Sequence, residues 1–343
     1  MDVQSLDDSV RSAERWNNYV WSSPVATSDH LWGWRRILKE SFNFEPYYLA
    51  AVENDDIIGI LPLFRILRRP GRYALSSIPF GNYGGILADN EETATFLLES
   101  AKELLHISGG EYLELRHRSG IQDENLQRKN LYSRFTLQLS GDSERHFTEI
   151  GRSNRNKINK SKRRGLSVTR SKDMSALYPI HVHTARRLGT PCFPRRYFEL
   201  ILETFSEKIE IVYVLLDGKP IAYDVVLEFK DSLVCQFNGA LENHLHHYPN
   251  YLLIWSIIEA GCVGGFKEFD YCRSRKGSGT ALFKSRLHMK EELLAYQYYV
   301  PHSDAVPERH PSNPKYQRLI SLWKRLPLEL TEYIGPLLVR YLA

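Results

Sequence analysis

The segment FDYCRSRKGSGTALFKSRL, residues 269–287, combines side chains that can stabilise a negative charge. It carries an acid, Asp270, an arginine, Arg273, and the pair Phe283-Lys284. A guanidinium group binds anions through a planar fork of donors, and a fixed lysine can hold a phosphate or a developing oxyanion. The segment is therefore a candidate active centre, unless it is an ordinary strand, turn and helix with charged edges.

Acyl transfer to an amine is one reaction that such a centre could perform. The amine must lose a proton, the tetrahedral oxyanion must be stabilised, and the leaving group must be released. We expect Asp270 to end a central strand, where its carboxylate either orients and deprotonates the amine or simply pairs with Arg273. Lys284 either steadies the oxyanion or is an ordinary surface lysine.

Two loops supply further candidates for substrate binding. A glycine turn precedes a predicted helix, whose N-terminus is a ready site for an anion. The residues of this turn are Gly277, Ser278 and Gly279. The loop GNYGG, residues 81–85, places the amide of Asn82 and the phenol of Tyr83 after a strand of the first half. We expect a flexible loop that lines a substrate groove, although a plain turn fits both sequences.

The segment RSNRNKINKSKRRG, residues 152–165, contains seven cations and no acid. On a helix, Asn154, Ile158 and Ser161 share one face and the cations cover the rest. Because ordinary surfaces intersperse acids among cations, the segment predicts a site for phosphates of RNA, a nucleotide or a lipid-linked precursor. A solvated helix face is the alternative. The candidate phosphate ligands are Lys157, Arg163 and Arg164.

The periodicity of apolar residues in the second half predicts the elements that position these side chains. The predicted strands are 166–170, 209–216, 221–229, 232–240, 266–272 and 293–300. The predicted helices are 174–189, 195–207, 251–265 with Asn250 as its N-cap, and one that starts near Ser278. Three consecutive hairpin strands between helices are uncommon in doubly wound sheets. This element order is that of the GCN5-related N-acetyltransferase (GNAT) fold.

The first half of the sequence follows the same plan. A helical region at 28–41 precedes strands at 47–52, 57–66 and 73–78, a helix at 93–108 and a strand at 111–116. We therefore predict an α/β (α+β) protein of two tandem GNAT-like domains, with mixed, largely antiparallel sheets flanked by helices. The predicted domains are 1–145 and 146–300, the second with the basic helix and the candidate centre. A partly helical tail follows at 301–343.

Composition argues against several classes of protein. The net charge is +4, from 45 basic and 41 acidic residues, so overall charge favours no partner. The four cysteines include no C-x-x-C pair, which argues against a zinc site or a disulfide framework and fits a reducing cytosol. The histidines at 244, 246 and 247 lack partnering acids at metal-ligand spacing, so we expect no metal there.

We expect no targeting or membrane-spanning segment. The N-terminus MDVQSLDDSV is acidic and polar, unlike a signal peptide. The longest apolar run, 251–258, is too short to cross a bilayer. The apolar tail LPLELTEYIGPLLVRYL, residues 326–342, either packs on a domain or touches a membrane surface. We expect a cytoplasmic protein, with the inner face of the cytoplasmic membrane as the alternative location.

Several motifs stand in one order across roughly residues 15–342. They are PFGNYGGILAD (79–89), EYLELR (111–116), RNKINKSKRRGL (155–166), RLGTPCFPRRYFEL (187–200), FDYCRSRKGSGTALFK (269–284) and NPKYQRLISLWKRLPLELTEYIGPLLVRYL (313–342). Together they resemble the FemAB-type proteins, especially the branch linked to exopolysaccharide and exosortase (PEP-CTERM) systems. The best-understood members transfer an amino acid from aminoacyl-tRNA to an amine on a peptidoglycan precursor. Relatives carry a BioF2-like acetyltransferase domain.

The resemblance implies two GNAT-like domains, and it assigns the role of the family's Phe-Lys pair in the transfer to Phe283 and Lys284. This sequence departs from the family pattern at two places. The family tends to have a glycine at the position of Cys272, so the backbone or its partner differs there. After the Phe-Lys pair the family tends to have Trp-Gly-Phe, where this chain has SRLHMKEE at 285–292. The second departure leaves the acceptor pocket undefined.

The sequence of one loop indicates which class of acyl donor the protein uses. A coenzyme-A GNAT binds pyrophosphate on a glycine loop between its fourth strand and the next helix. The corresponding stretch LENHLHHYPN, residues 241–250, has no glycine, and the similar KGSGTA, 276–281, follows the wrong strand. Acetyl-CoA or another acyl-CoA is therefore the less favoured donor, and no cofactor is firmly implied. Aminoacyl-tRNA or another activated acyl carrier is favoured.

The sequence as a whole predicts an acyl- or aminoacyltransferase that modifies an amine of a peptidoglycan or exopolysaccharide precursor. The expected partners are a phosphorylated or lipid-linked envelope precursor and tRNA as donor, with peripheral contact with the inner membrane and no DNA. Two alternatives stay open. One is an acyl-CoA-dependent N-acyltransferase on an amino sugar, and the other is a non-catalytic phosphate- or RNA-binding module on a GNAT scaffold.

Overall fold

The structure, a computed structural model, describes residues 1–301 and 314–343, which form two compact units. Among these residues, the first unit comprises 1–132, 293–301 and 340–343, and the second comprises 133–292 and 314–339. Each unit is therefore assembled from separate parts of the chain. Residues 302–313 of the predicted tail lie outside the described residues.

The first part of the chain forms seven strands and three α-helices of the first unit. They are β1 (Asp2–Ser5), α1 (Val10–Ser22), α2 (Gly33–Phe42), β2 (Glu45–Glu53), β3 (Asp56–Arg69), β4 (Arg72–Ser77), β5 (Leu87–Ala88), α3 (Glu91–Ile107), β6 (Leu113–His117) and β7 (Gln127–Lys129). A short 3-10 turn, Ser28–His30, precedes α2. The predicted strands and the helix at 93–108 are confirmed, whereas β1, α1, β5 and β7 were not predicted.

The second part of the chain follows the predicted order closely. Its elements are β8 (Tyr132–Gln138), α4 (Ser143–Glu149), α5 (Arg152–Arg163), β9 (Ser167–Ser171), α6 (Leu177–Leu188), α7 (Arg195–Thr204), β10 (Ile209–Leu216), β11 (Lys219–Phe229), β12 (Ser232–Ala240), α8 (Pro249–Val263), β13 (Glu268–Arg275), α9 (Gly279–Arg286), β14 (Lys290–Leu293), β15 (Ala295–Tyr299), α10 (Pro314–Arg325) and α11 (Leu328–Val339). Two 3-10 turns, Glu242–His247 and Arg340–Leu342, precede α8 and follow α11.

Each unit contains one sheet, and the two sheets have the same plan. The first has the order β1-β2-β3-β4-β6-β15-β7, with β5 paired to β3, and the second has the order β9-β10-β11-β12-β13-β8-β14. In both, an antiparallel run is followed by one parallel pair, β4 with β6 and β12 with β13. This arrangement confirms the predicted fold class, and the repeated order supports an internal duplication.

Each sheet contains a strand from the other half of the sequence. β15 pairs antiparallel with β6, with Tyr296 opposite Arg116, so it belongs to the first sheet. β8 belongs to the second sheet, next to β13. The strand predicted at 293–300 exists, but the structure corrects its placement in the second domain, because strand partners are chosen by long-range contacts as well as by chain order. The predicted ranges 1–145 and 146–300 accordingly do not coincide with the compact units.

Helix α8 lies in the core of the second unit. It is apolar on nearly all sides, and Trp255 and Ile257 are buried in a cluster that includes residues of the sheet and of α5. The helix begins at Pro249, after Tyr248, and not at the predicted N-cap Asn250. Proline suits the first helical position, because its fixed φ matches the helix and its missing N–H would have no partner there.

Candidate functional site

Asp270 lies inside β13, which continues to Arg275, and not at the end of a strand as predicted. Its side chain is buried, and its Oδ2 atom accepts a hydrogen bond from Arg134 Nε at 2.9 Å. Its other oxygen accepts from the Cys272 N–H at 2.8 Å. Arg134 also pairs with Glu268, so Asp270 belongs to a buried ion-pair network. Sequence reasoning missed Arg134, because β8 comes from the other half of the chain.

Lys284 is buried and not a surface lysine, with only 5% of its area exposed. Its Nζ donates to the carbonyl oxygens of Tyr271, Cys272 (3.3 Å) and Arg273 (3.2 Å). Burial lowers the pKa of the Lys284 ammonium. Helix α9 therefore holds the Lys284 ammonium group against three consecutive carbonyl groups of β13.

Those carbonyls lie where β13 separates from β12. The parallel ladder between the two strands ends with Val234 opposite Asp270, although both strands continue. Cys272 has a φ of +54°, in the left-handed region that favours glycine. A glycine would adopt this conformation without strain. The left-handed conformation of Cys272 and the hydrogen bonds from Lys284 together determine how β13 separates from β12.

A second buried acid lies near Lys284. Asp224, in the middle of β11, is 0% exposed, and its Oδ1 atom accepts a hydrogen bond from the Cys235 thiol at 3.0 Å. Burial raises the pKa of Asp224 to about 8, although Cys235 and the Lys284 charge oppose this. Sequence reasoning missed this residue. The available signal was an acid at the centre of the mostly apolar strand IAYDVVLEF, whose other acid, Glu228, lies near the end.

The glycine turn leads into α9 as predicted. Gly277 has a φ of +72°, and the Ser278 hydroxyl caps the helix by accepting from the Ala281 N–H at 3.2 Å. Gly279 is the first helical residue. Phe283 is half-buried, and its ring meets Tyr251 edge-on at 5.1 Å. The turn and the Phe-Lys pair therefore belong to one local structure, which also holds Lys284 in place.

Helix α5 presents the basic segment as predicted, with Asn154, Ile158 and Ser161 buried. Lys157 Nζ donates to the Tyr251 hydroxyl at 2.9 Å, and Arg164 donates to the His246 carbonyl. Both contacts are made near the start of α8, whose N-terminal end carries partial positive charge. Arg163 is exposed. Two of the three predicted phosphate ligands thus lie beside a helix N-terminus.

The loop with Asn82 and Tyr83 is closely packed, which corrects the prediction of a flexible loop. The Asp29 carboxylate accepts from the N–H groups of both residues at 2.6 Å, and Tyr83 is buried. A Cβ on Gly85 would lie 2.2 Å from the His117 ring, so glycine is needed for this close approach. Asn82 and Tyr83 belong to the first unit, and Lys284 belongs to the second.

Several features of the described residues bear on metals, thiols and membranes. Among residues 1–301 and 314–343, no three His, Cys, Asp or Glu side chains lie close enough to hold a metal ion. Within the same ranges, no helix is long and apolar enough to span a membrane. The four cysteines are buried free thiols.

Comparison with known proteins gives the class of this fold. The model of the acetyltransferase (GNAT) domain family Acetyltransf_6 matches residues 152–285. No curated protein matches the chain in sequence. The chain therefore carries a GNAT-like domain in its second half, in the part that contains Lys284.

Solved structures match nearly the whole chain. FemX is similar with a TM-score of 0.66 and 13% identity, over 95% of this chain and 100% of FemX. The C-terminal domain (DUF2156) of a proposed lysylphosphatidylglycerol synthetase from Agrobacterium fabrum has a TM-score of 0.58 and 12% identity, over 84% of this chain and 91% of that domain. A tandem GNAT protein from the clavulanic acid biosynthesis pathway has a TM-score of 0.57 and 11% identity, over 89% and 99%. The chain thus has a FemAB-like fold of two tandem GNAT-like units.

Proposed function

We propose that this protein is an acyltransferase of the FemAB type, which transfers an acyl or aminoacyl group to an amine of a cell-envelope precursor. The observation that carries this proposal is the separation of β12 from β13 beside the buried Lys284. Strand edges offer backbone groups that can pair with an extended ligand. An acyl group on its carrier can therefore bind in this opening, with its carbonyl near β13.

The equivalent position in the first unit argues that the chemistry belongs to the second. There the ladder between β4 and β6 ends with Ser76 opposite Glu114. The following segment, 78–85, lies against β6, and the N–H groups of Gly84 and Gly85 both donate to the Arg116 carbonyl. The first unit thus uses its own chain at the position where the second unit would take the acyl group.

The reaction forms one bond and breaks another. The amine nitrogen of the acceptor attacks the acyl carbon, the oxyanion collapses, and the bond from that carbon to the carrier breaks. The proton lost by the amine goes to the leaving group or to water. We propose that the positive charge of Lys284 stabilises the oxyanion. Because Lys284 is buried away from water, this electrostatic stabilisation is stronger than it would be at the surface.

The roles of the other candidates follow from their contacts. Asp270 is hydrogen-bonded to Arg134 and to the Cys272 N–H. We therefore assign Asp270, together with the neighbouring Arg273, to positioning β13 and not to proton transfer. Phe283 packs on Tyr251 and orients the helix that carries Lys284. The turn formed by Gly277, Ser278 and Gly279 sets the start of that helix.

Phosphates of the donor are assigned to α5 and the start of α8. Lys157 and Arg164 contact Tyr251 and the 3-10 turn before α8, and Arg163 extends this positive surface. The turn uses backbone N–H groups internally, since His244 and Tyr248 donate to Leu241 and Leu245. A pyrophosphate cradle made of backbone N–H groups is therefore poorly provided. Exposed side-chain cations suit the spaced phosphates of tRNA better.

One observation favours a second candidate, an acyl-CoA-dependent N-acyltransferase that acts on an amino sugar. The family model that matches residues 152–285 is that of acetyltransferases. The two candidates share the site and differ in the donor. We favour an aminoacyl donor because one matching structure is described as a lysylphosphatidylglycerol synthetase, whose name indicates an aminoacyl product on a membrane lipid.

A transfer assay with two donors tests the proposal. The full chain is incubated with a UDP-linked muropeptide or glucosamine, and with either labelled aminoacyl-tRNA or labelled acetyl-CoA. The variants Lys157→Gln and Arg164→Gln are compared with Lys219→Gln, an exposed lysine at the turn between β10 and β11.

We expect label to move from aminoacyl-tRNA, with a raised KM in the two α5 variants and no change in Lys219→Gln. The affinity for tRNA should also fall steeply with salt, because bound phosphates release counterions. Transfer from acetyl-CoA alone would establish the second candidate. Absence of transfer from both donors to either acceptor would contradict an acyltransferase with these acceptors.

A further inference from the structure

A cavity of about 590 Å³ in the first unit has no part in the proposed transfer. Its walls come from α2, the start of β2, the strands β3 and β4, and Arg340. Small-molecule sites usually enclose roughly 300–1,000 Å³. The cavity therefore has the size of a site for a small ligand.

The lining of the cavity is strongly cationic. The cations are Arg35, Lys39, Arg65 and Arg340, and the one acid in the lining is Glu45. Asp8, which does not line the cavity, forms ion pairs with both Arg35 and Lys39. Glu45 forms an ion pair with Arg65 at 3.4 Å. Four cations and these two carboxylates leave a surplus of two positive charges, 4 − 2.

The three arginines are not satisfied by the protein alone. Arg35 Nη1, Arg65 Nε and Arg340 Nε are buried and have no hydrogen-bond partner among the described residues. A buried donor without a partner destabilises the folded protein, so several in one place call for an explanation. These three atoms are closed off from the cavity as well as from bulk solvent. An anion in the cavity would therefore stabilise the guanidinium groups through its charge and bind their other nitrogens.

The groups that line the cavity are held in place. The rings of Phe42 and Phe44 stack at 5.3 Å, and the Arg65 guanidinium lies 3.8 Å from the centre of the Tyr73 ring. Arg340 is brought to this position from the far end of the sequence, and its Nη2 atom lies 3.0 Å from the Tyr341 hydroxyl. The cavity thus combines rigid aromatic surface with converging cations.

We propose that this cavity binds a phosphorylated small molecule. A phosphate monoester carries about two negative charges near neutral pH, which matches the surplus of two. Guanidinium groups bind phosphate oxygens in pairs through parallel donors. The remainder of the ligand lies against Phe42 and Tyr73. The site is separate from the residues assigned to acyl transfer, so it does not depend on the proposed function.

Calorimetric titration of the full chain tests this proposal. The probes are inorganic phosphate and inorganic pyrophosphate, with acetate at the same ionic strength as a singly charged control. The variants Lys39→Gln and Arg65→Gln remove cations from the lining. Arg36→Gln is the matched control, because Arg36 lies on the same helix as Lys39, is as exposed (53% against 52%) and also has an ion pair, but does not line the cavity.

We expect phosphate and pyrophosphate to bind and acetate not to bind. Each lining variant should weaken binding by about tenfold or more, as for the loss of a charge-assisted hydrogen bond, and Arg36→Gln should bind like the wild type. The proposal is overturned if the folded wild type binds neither phosphate probe at millimolar concentration. It is equally overturned if Arg36→Gln loses as much affinity as the lining variants.

Discussion

At the scale of single residues, Cys272 is the point on which the shape of β13 depends. Its φ of +54° costs a side-chain-bearing residue about 1 kcal/mol or more relative to glycine. We expect Cys272→Gly to be more stable than Cys272→Ala by about 1 kcal/mol, because both lack the thiol and only glycine adopts this conformation freely. Urea unfolding of the two variants measures the difference. Equal stability, or a more stable alanine variant, would contradict the conformation.

Asp224 gives the protein a pH dependence of known sign. Its carboxyl has an ordinary pKa of 3.8 and a folded pKa of about 8. Between these values the unfolded chain loses this proton and the folded chain keeps it, so stability falls as pH rises and the loss levels off above about pH 8.

We therefore expect the wild type to lose stability relative to Asp224→Asn as the pH is raised from 5 to 8. The relative loss should reach at most about 1.4 kcal/mol per pH unit. Urea unfolding at several pH values provides the measurement, and the asparagine variant serves as the control because it cannot titrate. Parallel stability curves for the two proteins would show that Asp224 is not held neutral.

The residue types of the candidate site were more predictable than their roles. Lys284 and Asp270 stand out in the sequence because glycines, an arginine and a Phe-Lys pair surround them. Lys284 donates to three carbonyls because of the path that β13 takes. Asp270 pairs with Arg134 because a strand from the other half of the chain lies beside β13. Neither contact could be predicted from the sequence around these residues. Asp224 was missed because burial of one acid within an apolar strand is decided by packing.

At the scale of elements, the hairpin strands were the most predictable. β10 and β12 begin and end where their alternating or apolar patterns and the turns Asp217-Gly218 and Lys230-Asp231 place them. Helix α5 was predictable from the spacing of its buried residues, and its end is marked by Gly165 with a φ of +80°. The loop 81–85 was mispredicted because its glycines serve close packing, which looks like flexibility in a sequence.

The helices α10 and α11 expose an apolar surface that supports contact with a membrane. Leu319, Leu322, Tyr333 and Leu337 are 56–76% exposed. Residues 314–325 contain no acid, and α10 ends with Lys324 and Arg325. Apolar side chains next to cations favour an anionic lipid surface.

We expect the full chain to sediment with vesicles that contain phosphatidylglycerol and less with vesicles of phosphatidylcholine alone. The double variant Leu319→Ser/Leu322→Ser should lose most of this binding, since it removes two exposed apolar side chains. Ile107→Ser is the control, because Ile107 is 77% exposed on α3 of the first unit. Equal binding by the double variant and the control would rule out α10 as the contact.

At the scale of the whole molecule, the exchange of β8 and β15 makes each half of the sequence incomplete. A fragment 146–343 lacks β8, which contributes Phe135 to the core of the second unit and Arg134 to Asp270. A fragment 133–343 retains both residues. We expect only the longer fragment to unfold cooperatively on heating, because the shorter one leaves Asp270 without its partner and β13 without its neighbour.

Differential scanning calorimetry of the two fragments provides this comparison. The same transition temperature in both would contradict the strand exchange. The exchange could not be predicted from the sequence. Two strands with similar apolar patterns can complete either sheet, and the choice depends on contacts between distant residues.

If acyl transfer takes place beside Lys284 in the second unit, the reaction must depend on the charge of that side chain. The most direct test is single-turnover transfer from labelled aminoacyl-tRNA to a UDP-linked muropeptide by the wild type, Lys284→Gln and Lys276→Gln. Glutamine at 284 keeps hydrogen-bond donors for the carbonyls and removes the charge, while Lys276 is an exposed lysine of the adjacent turn. We expect the transfer rate to fall by about 100-fold or more for Lys284→Gln, with unchanged tRNA affinity and circular dichroism, and no change for Lys276→Gln. A folded Lys284→Gln protein that transfers at the wild-type rate would contradict transfer beside Lys284.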